Sequence, residues 1–193
     1  MYKLQFYLGF ISILCFQTMA GRQIQFTQED IELAIEGNTC TIKGLYWFTN
    51  QSSHTLRTSL FYPFVVQDSL PYPDSICVIN EISGQQVEFT KNKTGVIFLI
   101  ELSPLQTAFY RVTYRQKTVN QYIQYLLLTT LQWRTPLEQA RYRVRLPKQY
   151  ILTFSTIHFY DVKVWNEEQI FESCFEHYMP STDFLVRWER RIP

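Results

Sequence analysis

Short segments in which apolar and polar residues alternate recur along the whole chain, and this alternation constrains the fold more than any other feature. Ile31, Leu33 and Ile35, for example, alternate with residues that include Glu32. A period of two places successive side chains on opposite faces of a β-strand. Turn signals separate these segments about every 8 to 12 residues. The pattern predicts roughly nine to eleven strands in an all-β fold, an antiparallel two-sheet β-sandwich such as the immunoglobulin-like kind.

The stretch Tyr125–Pro147 combines a predicted buried strand, a corner that carries Trp133, and a strand of alternating arginines. Gly44 stands inside another predicted strand, where glycine indicates a bulge or a close approach of the backbone. At most one short helix is expected. The candidate is Asn166–Glu176, because Asn166 can cap a helix and acidic residues follow it in the first turn.

The N-terminus has the pattern of a secretory signal peptide. Leu4–Met19 is mostly apolar, and Thr18-Met19-Ala20 offers small residues for a cut before Gly21. The apolar run is short for an uncleaved anchor, which needs about 20 residues. We therefore expect residues 1–20 to be a signal peptide and residues 21–193 to form a single β-sandwich domain, exported to the periplasm or the outside of the cell.

Composition and charge exclude several classes of protein. A chain of 193 residues that is 46% hydrophobic and 17% aromatic is neither disordered nor collagen-like. Its formal net charge of +1 argues against a nucleic-acid partner, because dedicated nucleic-acid binders carry a basic excess. No second run approaches the length of a membrane span, so no span is expected after signal cleavage.

Three cysteines remain after the predicted cleavage: Cys40, Cys77 and Cys174. An odd number allows at most one internal disulfide with a free thiol, or no disulfide at all. The other interpretation is that all three are small buried apolar residues. No CxxC occurs, which excludes a zinc knuckle and a thioredoxin-type site.

Motifs for catalysis are absent from the sequence. It contains no HExxH, GxSxG, GxGxxG or P-loop pattern. Ser155, His158 and Asp161 lie close together, but a strand would direct Ser155 and His158 to opposite faces. A pair of carboxylates from distant positions remains an open alternative. We predict no catalytic, cofactor-binding or metal-binding residues, and a chain that is more consistent with a binding module than with an enzyme.

Arginines form the one pattern that stands above background. They alternate with apolar residues in two predicted strands, at Arg141, Arg143 and Arg145 and again at Arg111 and Arg115. If the two strands were neighbours in one sheet, five guanidinium groups would share a face that could bind an anionic glycan or an acidic partner protein. The alternative is a solvated face on which the arginines pair with acids, with Glu29, Asp30, Glu32 and Glu36 as candidates.

Two further sets of residues could contact glycans. Tryptophans can form a carbohydrate platform or pack in the core, and the candidates are Trp47, Trp133, Trp165 and Trp188. Two N-glycosylation sequons begin at Asn50 and Asn92, both in predicted turns. They matter only in a host that glycosylates exported proteins.

Three consecutive runs carry a resemblance to a known family. FTNQSSHTLRTSLFYPF, PDSICVINEISGQQVEFT and FLIELSPLQTAFYRVTYR resemble the N-terminal β-domain of zinc aminopeptidases. They also resemble exported bacterial envelope β-sandwich proteins of unknown function. Because the zinc motif is absent, the resemblance implies the sandwich without the enzyme. The sequence thus predicts an exported, non-catalytic binding or structural module of the cell envelope, which could contact another envelope protein or an anionic glycan. The alternatives are a hydrolase with a site built from distant residues, and an accessory domain that packs on a larger envelope partner.

Overall fold

The computed structural model describes residues 23–191, which form a two-layer β-sandwich. The predicted all-β sandwich is confirmed. The strands in chain order are β1 (Ile24–Glu36), β2 (Thr39–Asn50), β3 (Leu56–Pro63), β4 (Asp74–Asn80), β5 (Gln85–Gln86), β6 (Phe89–Asn92), β7 (Gly95–Leu102), β8 (Thr107–Lys117), β9 (Tyr122–Tyr125), β10 (Leu137–Pro147), β11 (Tyr150–Ser155), β12 (Asp161–Trp165), β13 (Glu168–Tyr178) and β14 (Phe184–Arg190). A 3-10 helix, Leu128–Trp133, lies between β9 and β10.

One layer is an eight-stranded sheet with the order β12-β13-β10-β1-β2-β8-β4-β5. The other layer consists of two three-stranded sheets, β11-β14-β9 and β3-β7-β6. The strand pairs of the described residues are antiparallel with one exception, since β1 and β10 run parallel at the centre of the large sheet. The signal peptide expected at residues 1–20 lies outside the described residues.

The core lies between the two layers. After the bulge between Phe26 and Gln28, the alternation of β1 buries Ile31, Leu33 and Ile35 on the inner face of the large sheet and leaves Asp30, Glu32 and Ala34 on the outer face. Aromatic rings join the layers: Tyr142 lies 5.7 Å from Phe184 between ring centroids. The inner face is therefore fixed by packing, while the outer face of the large sheet carries no third layer within residues 23–191.

The prediction of a helix at Asn166–Glu176 is wrong, because Glu168 and the residues after it belong to β13. Asn166 and Glu167 adopt left-handed φ angles of 43° and 66° in the turn between β12 and β13. The turn reverses the chain, and β13 then pairs with β10 along its length. The short sequence between Trp165 and Glu168 gave a capping signal that also fits a tight hairpin turn.

The predicted strand over Tyr125–Thr130 also needs correction. β9 ends at Tyr125, and a 3-10 helix takes up Leu128–Trp133. Trp133 packs its ring 5.8 Å from that of Phe26 and 5.6 Å from that of Phe48, measured between centroids. The predicted corner is thus attached to the core by Trp133. Among the described residues no helix is long and apolar enough to cross a bilayer.

The cysteines and sequons occupy different environments. The three cysteines among residues 23–191 are free, and the expectation of three buried thiols holds for Cys40 alone, since Cys77 is half-buried and Cys174 is exposed. Asn50 is completely buried, and its amide nitrogen donates to the carbonyl oxygens of His54, Leu102 and Ser103. This sequon is therefore a structural hub. The second begins at Asn92, the exposed last residue of β6, and continues into the turn before β7.

Candidate binding surface

The five predicted arginines lie on the outer face of the large sheet. β8 and β10 are not neighbours, because β1 and β2 lie between them. The register nevertheless aligns Arg141 with Asp30, Leu45 and Arg111 in one row across the strands. A second row aligns Arg145 with Arg115 in the same manner. With strands spaced by about 4.8 Å, the two arginines of a row stand about 14 Å apart.

The arginines of β10 lie between two strands that supply acids. Arg143 donates to Glu32 of β1 at 2.9 Å and to Glu172 of β13 at 2.8 Å. Arg145 donates to Glu168 at 2.6 Å. The exposed fractions of the side chains are 41% for Arg141, 23% for Arg143 and 40% for Arg145. These guanidinium groups are solvated but held in place by their neighbours.

Burial and ion pairing act in opposite directions on the pKa values of Arg143 and Asp30. Burial opposes the charge of Arg143, yet its hydrogen bonds to Glu172 and Glu32 hold its pKa above the ordinary value. Partial burial raises the pKa of Asp30, against the attraction of Arg143 and Arg141. The arginines of β10 and their acids therefore form a connected network of charges, in which removing one member alters its neighbours.

The arginines of β8 are paired as well. Arg115 donates to Asp74 of β4 at 2.9 Å, and this hydrogen bond lowers the pKa of the carboxyl group. Arg111 donates to Glu81 just beyond β4. The five arginines thus contact six carboxylates: Asp30, Glu32, Asp74, Glu81, Glu168 and Glu172. Each arginine of this surface is therefore compensated by at least one carboxylate.

Apolar side chains continue the same face. Leu45 and Ile79 lie half-buried in the row of Arg111, and Lys43 stands exposed beside Leu45 on the same strand. Two residues beyond the pair Leu45 and Arg111, on the same face, the rings of Trp47 and Phe109 meet edge to face at 5.9 Å between centroids. We use the name outer face for the side chains of β1, β2, β8 and β10 that point away from the second layer, which include Asp30, Lys43, Arg111 and Arg143. It combines fixed charges with half-exposed aromatic and aliphatic groups.

A buried carboxylate lies behind this surface, and the sequence misplaced it. Glu29 was a candidate partner for the arginines, but its side chain points into the core, where Tyr142 donates a hydrogen bond to it at 2.5 Å. Burial raises the pKa of Glu29 to about 7, against the effect of this hydrogen bond. Glu29 shares parity with Ile31, and that signal indicates the inner face.

Tyr46 connects all three sheets through its hydroxyl group. That oxygen lies 2.7 Å from the hydroxyl of Tyr62 on β3 and 2.7 Å from that of Tyr125 on β9. The ring of Tyr46 lies over Gly44, where a Cβ atom would overlap it. The predicted close approach at Gly44 is confirmed. This tyrosine cluster is buried and is part of the scaffold.

The remaining candidate residues make local hydrogen bonds. Ser155 accepts a hydrogen bond from the backbone of Ile157, and the backbone oxygen of His158 accepts one from Ser173. No three His, Cys, Asp or Glu side chains among residues 23–191 are arranged to hold a metal ion. A shallow cleft of about 630 Å³ lies beside β5 and β6, lined by residues that include Asn80, Gln86 and Glu101.

Comparison with solved structures places the fold among known proteins. A protein from Legionella pneumophila with the provisional description of a nutrient binding protein aligns with a TM-score of 0.71 and 15% identity, over 86% of this chain and 67% of that one. An M1 zinc metallopeptidase from Deinococcus radiodurans aligns with a TM-score of 0.52 and 13% identity, over 86% and 42% of the two chains. A two-domain M1 zinc metallopeptidase bound to L-tryptophan aligns with a TM-score of 0.53 and 12% identity, over 86% and 43%.

At these identities the similarity concerns the fold. A scan against protein families found no match, and a search of the curated proteins found none. This chain spans less than half the length of the metallopeptidase chains that it matches. The resemblance to the β-domain of zinc aminopeptidases is therefore confirmed as a resemblance of fold.

Proposed function

We propose that the protein is an exported, non-catalytic β-sandwich module of the cell envelope, which docks on a partner protein through the outer face. The observation that carries this proposal is the outer face itself. Four adjacent strands present it as a continuous surface, and the second layer of the sandwich packs on the opposite side. Export follows from the N-terminal sequence pattern alone.

The balance of charge favours a protein partner over an anionic glycan. Binding to a polyanion needs uncompensated positive charge, because the gain comes from replacing the counterions of the polymer. Here each arginine already contacts a carboxylate. A partner protein with its own mixed charges and apolar groups can complement such a face, since protein interfaces combine arginine, aromatic residues and a polar rim.

The structural neighbours support a modular role. Two-domain metallopeptidases contain this fold within chains more than twice as long as the matched region. In this chain the same fold could pack on a larger partner in a similar way, without the catalytic part. The Legionella pneumophila neighbour suggests ligand binding as a second possibility, for which the cleft beside β5 and β6 is the available site.

Lys43→Glu and Lys91→Glu form a matched pair for testing this proposal. Lys43 lies on the outer face, whereas Lys91 lies on β6 in the other layer, and both are exposed. The full chain is expressed in its own host, and the envelope fraction is separated by size. We expect wild type and Lys91→Glu to migrate in a complex larger than two copies of the chain, and Lys43→Glu to leave it.

The mass of the exported protein tests the targeting part separately. Intact-mass measurement should show a chain that begins at Gly21. A protein that stays in the cytoplasm with Met1 retained would contradict export. A wild-type chain that migrates in the envelope fraction as no more than two copies would contradict the docking role.

A further inference from the structure

The edge strand β12 presents an unusually open end of the large sheet. Its five residues are all exposed, and it is the terminal strand of the eight. Val162 and Val164 are 54% and 61% exposed, and Trp165 after them is also exposed. An exposed apolar edge strand is a template for pairing with another strand, because its outward N–H and C=O groups have no partner.

The hairpin geometry shows which backbone groups face outward. β12 and β13 are joined by the two residues Asn166 and Glu167, so the flanking pair Trp165 and Glu168 exchanges hydrogen bonds across the hairpin. Hydrogen bonding then alternates along the strand. Lys163 and Asp161 bond toward β13, and the N–H and C=O of Val162 point away from the sheet.

The second layer of the sandwich also has a terminal strand, β11, near the β12 end of the large sheet. The amide of Gln169 on β13 donates to the backbone oxygen of Tyr150 at 3.0 Å, which places β11 above the same end of the large sheet. β11 is itself a terminal strand, and its residues Ile151 and Phe154 are exposed. The edge of the sandwich therefore carries apolar groups from both layers.

We propose that this edge binds a second copy of the chain, with β12 pairing antiparallel to β12 of the copy about a two-fold axis at Val162. Each Val162 would exchange two backbone hydrogen bonds with its counterpart. The two large sheets would continue across the axis. An isologous contact of this kind buries the same strand from both subunits and closes without forming a fibre.

Charge complementarity selects this partner and this register. Asp161 and Lys163 lie on one face of β12 and contact each other at 2.6 Å. In the register centred on Val162, each Asp161 stands opposite Lys163 of the second copy, which makes a ring of four alternating charges. A register centred on Lys163 would place two lysines opposite each other, and like charges at that position are destabilising.

Charge-swap variants test the register directly. The full chain is purified, and its dissociation constant is measured by sedimentation over a wide concentration range. Asp161→Lys and Lys163→Asp each place like charges opposite each other, so we expect each to weaken the dimer about tenfold. The double variant Asp161→Lys/Lys163→Asp restores opposite charges in the register centred on Val162, and its dissociation constant should return close to that of wild type.

Val162→Pro provides a second test, because proline removes the outward N–H and leaves the hydrogen bonds to β13 in place. We expect it to be monomeric, with unchanged circular dichroism. A wild type that is monomeric throughout, or a dimer that Val162→Pro leaves intact, overturns the proposal. So does a double swap that dimerises no better than the single swaps. These outcomes are independent of the outer face, because Lys43→Glu should dimerise like wild type.

Discussion

The hydroxyl group of Tyr142 on β10 donates a 2.5 Å hydrogen bond to the carboxylate of Glu29 on β1, at the only parallel strand pair of the described sheets. A carboxyl group at this depth is costly when charged, because it has lost most of its water. The same two strands carry the arginines and acids of the outer face on their other side. The central strand pair thus combines a buried acid inside the sandwich with a charge network outside it.

Glu29 should make stability fall as pH rises. Burial raises its pKa from 4.5 to about 7, so between these values the folded state holds a proton that the unfolded state has released. Its contribution is fully present below pH 4.5 and is lost as pH rises through about 7, by about 3 kcal/mol in total. Urea unfolding of wild type and Glu29→Gln at pH 5 and pH 8 measures this effect.

The difference between the two proteins isolates Glu29 from the other carboxyl groups. We take the free energy of unfolding of Glu29→Gln minus that of wild type. We expect this difference to be more favourable to the variant at pH 8 than at pH 5. Glu88→Gln, at an exposed position, is the control and should follow wild type. A difference between Glu29→Gln and wild type that stays constant with pH would show that Glu29 keeps an ordinary pKa.

Tyr46→Phe should destabilise the fold by about 1 to 3 kcal/mol, because it removes the hydroxyl that bonds Tyr62 and Tyr125 and leaves those buried groups without this partner. Chemical unfolding measures the loss. Tyr160→Phe is the matched control, since Tyr160 is exposed. Equal stabilities of the two variants would mean that the three hydroxyls do not join the sheets energetically.

Gly44→Ala should be more damaging than a methyl group normally is. The added Cβ would overlap the ring of Tyr46, so the ring must leave its position between the sheets. We expect a loss of about 2 to 3 kcal/mol, in the range of overpacked cores. Thermal unfolding tests this against Lys43→Ala, the neighbouring residue on the exposed side. A stability within error of that control would contradict the close packing.

The two sequons should respond in opposite ways to substitution. Asn50→Ala removes three donated hydrogen bonds and the acceptor for the backbone N–H and hydroxyl of Ser52, so we expect a loss of about 3 kcal/mol or failure to fold. Asn92→Ala loses one exposed hydrogen bond to Thr94 and should change stability little. In a glycosylating host, mass spectrometry should find any glycan on Asn92; a glycan on Asn50 would contradict its burial.

Arg143→Ala should destabilise the protein by about 1 kcal/mol, because Glu32 and Glu172 lose their shared partner on a half-buried surface. Salt should reduce this difference, since the remaining acids are then screened. Arg57→Ala is the control: its ion pair to Glu101 spans 3.8 Å and is largely exposed, so no measurable change is expected. A loss for Arg57→Ala as large as that for Arg143→Ala would mean that the half-buried hydrogen bonds of Arg143 stabilise the fold no more than an exposed ion pair does.

The period of two was sufficient to predict the sandwich, because one buried face repeats along nearly every strand. It also placed Arg141, Arg143 and Arg145 together on a face opposite Val144. It could not order the strands, since β10 pairs with β1, which lies far away in the chain. Local signals failed at Asn166, where a turn and a helix cap use the same residue type, and at Leu128–Trp133, where a 3-10 helix begins before the end of the predicted strand.

The acid that pairs with each arginine of the outer face could not be predicted for a related reason. The arginines of β10 obtain their acids from β1 and β13, and those of β8 obtain theirs from β4 and the turn after it. Pairing across strands depends on register, which no local pattern contains. The near-neutral net charge favoured a paired surface over a free anion-binding one, but the sequence alone could not assign an acid to each arginine.

Site-specific photo-crosslinking tests the docking role of the outer face most directly. A photoreactive amino acid is placed at Lys43 in the centre of the face, and in a separate protein at Lys91 on β6. Both proteins are illuminated in intact cells of the host. The account predicts one defined protein adduct from position 43 and none from position 91. Absence of an adduct at position 43, or the same adduct from both positions, would contradict it.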